Sequence, residues 1–175
     1  MNPADSRPRL RIAGLAAALL VVCALGSDAW AQGPSPLPLS VEGLDGREVV
    51  LGPGAPALHL VFFATWCPPC LDELRDLADV ESRWVDRGYR LVLIAVPSRQ
   101  TRERLAAFVK ESSPPGQVLF DRSGSATRAV GAERLPLHLV LDASGSVVLR
   151  AGSLGEGVGP ALERIFSVPG RGRPK

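Results

Sequence analysis

The chain has 175 residues, enough for one domain and a tail but too few for a second sizeable core. Hydrophobic residues make up 46% and charged residues 22%, the balance of an ordinary globular protein. Of the 20 Lys+Arg and 18 Asp+Glu, only Arg7, Arg9, Arg11, Asp5 and Asp28 precede residue 32, leaving 17 positive and 16 negative side chains; with no basic footprint, nothing points to nucleic acid as a partner.

In chain order the first object is a basic start followed by an apolar run from Ile12 to Gly26 and then Ala29-Trp30-Ala31, a small-x-small cleavage signal. Residues 1–31 read as a signal peptide cleaved after Ala31, which places the mature chain in the periplasm or another extracytoplasmic space. The run is shorter than the ~20 apolar residues of a bilayer span, so an uncleaved anchor is the weaker reading. Cys23 raises lipidation, but Val22 stands where a lipobox wants a small residue. Export removes Cys23 and leaves Cys67 and Cys70 in an oxidising compartment. A disulfide between these two closes so short a loop that its entropic benefit is small, and a structural staple explains it poorly.

Residues 32–168 read as the folded domain and 169–175 as a flexible tail. Residues 32–40 are a Pro/Ser-rich extended leader. "LSVEGLDGREVVL" (39–51) reads as a β-hairpin turning at Asp45-Gly46. "ALHLVFF" (57–63) is a continuous apolar run, the pattern of a strand buried on both faces. From Pro68 the period changes: Leu71, Leu74, Leu77, Val80, Trp84 and Val85 recur at helical spacing until Gly88, with Pro68 and Pro69 suited to the first turn. A second buried strand covers 89–97, a helix 101–112, a short strand 117–121 and a short helix 124–132. Residues 137–152 form a strand, a turn around Asp142–Gly145 and another strand, and a closing helix carries Val158, Leu162, Ile165 and Phe166. Alternating strands and helices ending in a hairpin and helix give an α/β domain with a mixed sheet.

The chemistry lies in "ATWCPPCLDELRDL" (64–77). A cysteine between a buried strand and a helix meets free N–H groups and the positive end of the helix dipole, both of which favour the reactive thiolate. Cys67 is therefore expected to be the solvent-facing nucleophile and Cys70, almost one turn on, the resolving thiol, with Trp66 covering the site.

"FFATWCPPCLDE" resembles the active site of thioredoxin-fold oxidoreductases, most closely the extracytoplasmic TlpA/ResA-like branch related to the redoxins. "RLPLHLVLDASGSVV" is similar to a second marker of that branch, with Pro136 at its cis-proline and Asp142 and Gly145 at its turn. The resemblance extends over roughly 36–168. It implies a thioredoxin-like fold: a mixed central sheet flanked by helices, an N-terminal β-hairpin, and a helix-bearing insertion at 98–113. It also implies a thiol–disulfide oxidoreductase with a Cys67–Cys70 redox disulfide and no cofactor. Pro136, with Leu135 and Trp66, would hold the substrate backbone. The substrates it implies are disulfides of exported proteins, such as apocytochrome c or copper-site cysteines, and the reductant a membrane thiol transporter of the DsbD/CcdA type.

Several positions depart from the pattern. Val61 stands where thioredoxin buries an acid, so proton management must come from elsewhere. Glu73 lies on the same helix face as Cys70 and matches an acidic position of the branch; it reads either as a proton acceptor or as an ordinary solvated glutamate among arginines. Arg75 replaces a proline that often bends this helix, so no bend is expected there. Leu137-His138 replaces the usual polar pair after the cis-proline. A zinc site is disfavoured because one CxxC is joined only by His59 and His138, far apart in the sequence. His59 reads as a satisfied core or edge histidine. The alternative function is a Cu(I)-binding chaperone on the same fold, with His138 as third ligand beside the two thiolates.

Overall fold

The computed structural model describes residues 35–167; the expected signal peptide and the tail at 169–175 lie outside the described residues. Seven strands form one sheet: β1 (Leu39–Glu42), β2 (Glu48–Leu51), β3 (Ala57–Phe63), β4 (Tyr89–Ala95), β5 (Gln117–Phe120), β6 (Leu137–Asp142) and β7 (Val147–Ala151). Their order across the sheet is β2-β1-β5-β4-β3-β6-β7. The β3, β4 and β5 strands run parallel, whereas β6 pairs antiparallel with β3 and β7 with β6. All seven residues of β3 are buried, as its unbroken apolar run requires of a strand enclosed between neighbours and covered on both faces.

The helices are α1 (Pro68–Asp72), α2 (Leu74–Trp84), α3 (Arg102–Ser112), α4 (Ser125–Val130) and α5 (Val158–Ser167). α2 packs on β4, α3 on β5, and α5 on β6 and β7. Trp84 stacks on Phe166 with 5.0 Å between ring centroids, which ties α2 to α5. The first helical region stops at Gly88, where φ is +90° and a Cβ would come within 2.7 Å of Pro56 Cγ. A side chain there is strained by both backbone and space.

The hairpin turns where the sequence places it, with the Gly43 N–H donating to Arg47 O at 2.8 Å and Gly46 at φ +81°. Its β1 strand joins the sheet beside β5, and Arg102 of α3 pairs with Glu42 at that junction. The strand expected over 89–97 ends at Ala95, ahead of Pro97, which has no N–H for the ladder.

The first helix differs from expectation in one functionally relevant way. Its apolar spacing continues through 68–84, yet the helix is interrupted at Glu73 without a proline. The Glu73 carbonyl already accepts from Leu77 N as the start of α2, while its side chain turns inward to the buried His138 and the half-buried Leu154 N–H. Side-chain hydrogen bonding thus accompanies the interruption at Glu73.

Candidate active site

β3 delivers the chain to the site. After Phe63, the Cys67 N–H donates to Ala64 O at 3.1 Å, closing a turn that sets Cys67 at the mouth of α1. Cys67 and Cys70 are joined by a disulfide with 5.3 Å between Cα atoms. In this oxidised state Cys67 is 5% exposed and Cys70 3%. Cys67 does not face solvent as expected, because its sulfur is turned to its partner and its backbone is engaged on both sides. The exposed residue is Trp66, at 39%.

Free N–H groups that could stabilise a Cys67 thiolate are also scarce at the start of α1. Cys67 occupies the cap position and the next two residues are Pro68 and Pro69, which have no N–H. The first donor of the helix is Cys70 N, and it already points to Cys67 O at 3.1 Å. A five-residue α1 adds little dipole of its own. Pro69→Ala restores the donor that a cap side chain ordinarily uses, and a hydrogen bond to a charged group is worth about 1.5–3 kcal/mol. The reduced form gains, so the midpoint potential should rise by roughly 30 mV or more. An unchanged potential would place thiolate stabilisation elsewhere.

One wall of the site comes from the segment leading into α3. The Trp66 indole N–H donates to Ser98 O at 2.7 Å, and the Arg99 guanidinium lies 4.0 Å from the Trp66 ring centroid. Thr65 donates through N and Oγ1 to Gln100 Oε1, at 3.3 and 2.7 Å. Trp66 is therefore fastened to the insertion. The opposite wall is β6: Leu137 pairs with Phe62, which puts Pro136 level with Phe63, and the Leu135–Pro136 bond is cis. Among the described residues the Leu37–Pro38 bond is also cis, which the sequence reading did not anticipate.

Glu73 is not a solvated helix glutamate. Its side chain is 18% exposed; Oε1 accepts from Leu154 N at 3.0 Å and Oε2 lies 2.8 Å from His138 Nε2. The other nitrogen of His138, Nδ1, lies 3.1 Å from His59 Nε2, and His59 Nδ1 lies 2.7 Å from the Tyr89 hydroxyl. Both histidines are fully buried. His59 is a satisfied core histidine, as expected, but its partner is the histidine that the sequence separates from it by 79 residues. Strand pairing explains the meeting: β3 and β6 are adjacent, with Val61 opposite His138, so His59 and His138 point to the same side of the sheet. Only that register would have revealed the contact from sequence.

Burial pushes the His59 imidazole down to about 3, with His138 adding to the effect. Burial also lowers His138, opposed by the carboxylates of Glu73 and Glu156. Tyr89 is raised by burial and then by Glu81. Both ring nitrogens of His138 are engaged in hydrogen bonds, so the third ligand of the copper reading is already committed. Among the described residues no three His, Cys, Asp or Glu side chains are grouped to hold a metal ion.

The family model for Redoxin matches residues 28–152. The thiol-disulfide oxidoreductase ResA of Bacillus thuringiensis is 27% identical over 112 residues, 62% of either chain. The thiol:disulfide interchange protein CycY of Rhizobium leguminosarum is 30% identical over 117 residues, 61% of this chain and 59% of its own. This chain thus spans about three-fifths of the length of these relatives. Among solved structures, a DsbE-type thiol:disulfide interchange protein from Chlorobium tepidum superposes with a TM-score of 0.66 at 21% identity, covering 78% of this chain and 95% of that one. A thioredoxin-like protein from Porphyromonas gingivalis gives 0.61 at 24% identity, covering 80% and 93%. The fold is therefore thioredoxin-like, and with the match running through most of its length the chain belongs to the Redoxin family.

Proposed function

We propose that the protein is an extracytoplasmic thiol–disulfide oxidoreductase that reduces disulfides of exported proteins. The observation that carries this reading is the Cys67–Cys70 disulfide at the exit of β3, with cis Pro136 level with that strand end and Glu73 turned inward one helical step beyond Cys70. The names of ResA and CycY, both thiol–disulfide exchangers, support it.

In the reduced protein the Cys67 thiolate attacks one sulfur of a partner disulfide, forming a mixed disulfide and releasing the partner's other sulfur as thiolate, which takes a proton from water. Cys70 then gives its proton to the Glu73 carboxylate and attacks the Cys67 sulfur. The Cys67–partner bond breaks, the Cys67–Cys70 bond forms, and the leaving partner thiolate is protonated from Glu73. The partner gains two electrons and two protons: both electrons and the Cys70 proton come from the protein, and the other proton comes from water. Pro136 and Leu135 would present backbone to the partner, with Trp66 opposite. A membrane thiol transporter of the DsbD/CcdA type would restore the dithiol, and apocytochrome c or copper-site cysteines are the partner classes that fit.

Direction is tested by the midpoint potential of the Cys67/Cys70 pair in the full chain, read by Trp66 fluorescence against a dithiothreitol or glutathione series. A value below about −230 mV is expected for a reductant. One above about −180 mV would assign the protein to oxidation or isomerisation instead.

A further inference from the structure

We propose that Tyr89, His59 and His138 are positioning residues of the exchange reaction: with Glu73 they form a single one-directional hydrogen-bond chain that keeps the Glu73 carboxylate an acceptor, open to the Cys70 proton. The inference rests on the oxidoreductase reading and extends it to three residues outside the CxxC motif.

The direction follows from the contacts. A carboxylate can only accept, so His138 Nε2, 2.8 Å from Glu73 Oε2, carries the hydrogen of that bond. A neutral imidazole has one N–H, so His138 Nδ1 is an acceptor, and the hydrogen across the 3.1 Å contact belongs to His59 Nε2. His59 Nδ1 is in turn an acceptor, and the Tyr89 hydroxyl donates to it across 2.7 Å. Every polar atom in the row then has its partner, and the second carboxylate oxygen takes the Leu154 N–H.

Reversal needs a proton on Glu73 and both imidazoles in their other tautomer, and it turns the hydrogen of the buried Tyr89 hydroxyl away from its partner in the row. A proton held by Glu73 toward His138 therefore disturbs four residues together. The facing charges are few: Glu156 acts on His138 from the segment before α5, and Glu81 on Tyr89 from α2. Burial lowers the proton affinity of both imidazoles, in agreement with a neutral row.

The test uses the full chain. Nitrogen NMR of the labelled protein at pH 7 should show both buried histidines neutral and protonated at Nε2. A Nδ1–H form at either one overturns the chain without any variant having to fold. Single-turnover disulfide reduction is then compared at pH 5 and pH 8. His59→Leu removes the donor to His138, frees that imidazole to accept from a protonated Glu73, and should lower the pH 5 to pH 8 rate ratio about tenfold. His59→Gln, whose amide N–H reaches a similar place, should restore the ratio, which a purely structural role would not require. A ratio unmoved by His59→Leu, or by Glu73→Gln, overturns the inference while the oxidoreductase reading stands. A wild-type chain that reduces no disulfide at either pH overturns that reading, and this inference with it.

Discussion

Replacing Cys67 with Ala should abolish disulfide reduction, a loss of at least about 10³-fold, because no other thiol of the described domain can open a partner disulfide. Cys70→Ala should behave differently. Cys67 remains able to attack, but the covalent adduct has no internal thiol to resolve it, so mixed disulfides accumulate on non-reducing gels and multiple turnover stops. The two variants thus separate attack from release. Cys67→Ala protein that still turns over, or Cys70→Ala protein that frees its partner at the wild-type rate, would rule out the two-step exchange. The 5% exposure of Cys67 in the disulfide state adds a further expectation: small dithiols should re-reduce the protein faster than bulky protein thiols, unless the latter bind against the Trp66 and Pro136 walls first.

The second large effect is on acid stability. The His59 imidazole is held at about 3 by burial, and His138 is also lowered, against an ordinary value of 6.5. Both are neutral in the folded protein and take up protons on unfolding, so the unfolded chain binds more protons below pH 6.5. Their contribution is intact above that pH and is lost as the pH falls toward 3. Each such proton is worth ~1.4 kcal/mol per pH unit, and between pH 6 and 4 His59 alone should remove about 2–3 kcal/mol. That is a large part of the 5–15 kcal/mol typical of a domain. Urea midpoints at pH 7, 6, 5 and 4 should fall steeply, and His59→Leu should flatten the curve. Equal midpoints at pH 7 and 4 would show that the histidines are hydrated in solution.

Most of the fold was legible because local chemistry and tertiary context agree. The β3 run has one buried outcome, Asp45-Gly46 marks its hairpin, and Thr101 caps α3 by accepting from Arg104 N at 3.2 Å. The CxxC pair stood out by its spacing, and Pro136 by the resemblance of residues 134–148 to the second marker of the TlpA/ResA-like branch. The rest depended on facts that one-dimensional spacing does not contain. The burial of Cys67 comes from the turn that closes on Ala64. Pro68-Pro69 carries two opposed signals, since the fixed φ that suits a first helical turn comes with the loss of the two N–H donors. The His59–His138 contact depends on which strands are neighbours and in what register. The inward turn of Glu73 depends in turn on His138 being there to receive it.

The fastening of Thr65 and Trp66 to Gln100 and Ser98 has a consequence for recognition. A partner that docks beside Cys67 meets a rim whose rotamers and loop conformation were settled when the protein folded. Little conformational freedom is left to be lost on encounter, so affinity rests on shape and charge match more than on induced ordering. Arg99, with its backbone at φ +52° and its guanidinium laid over Trp66, belongs to that preorganised rim. Loosening it through Gln100 would weaken capture of partner proteins while leaving exchange with small thiols nearly as fast.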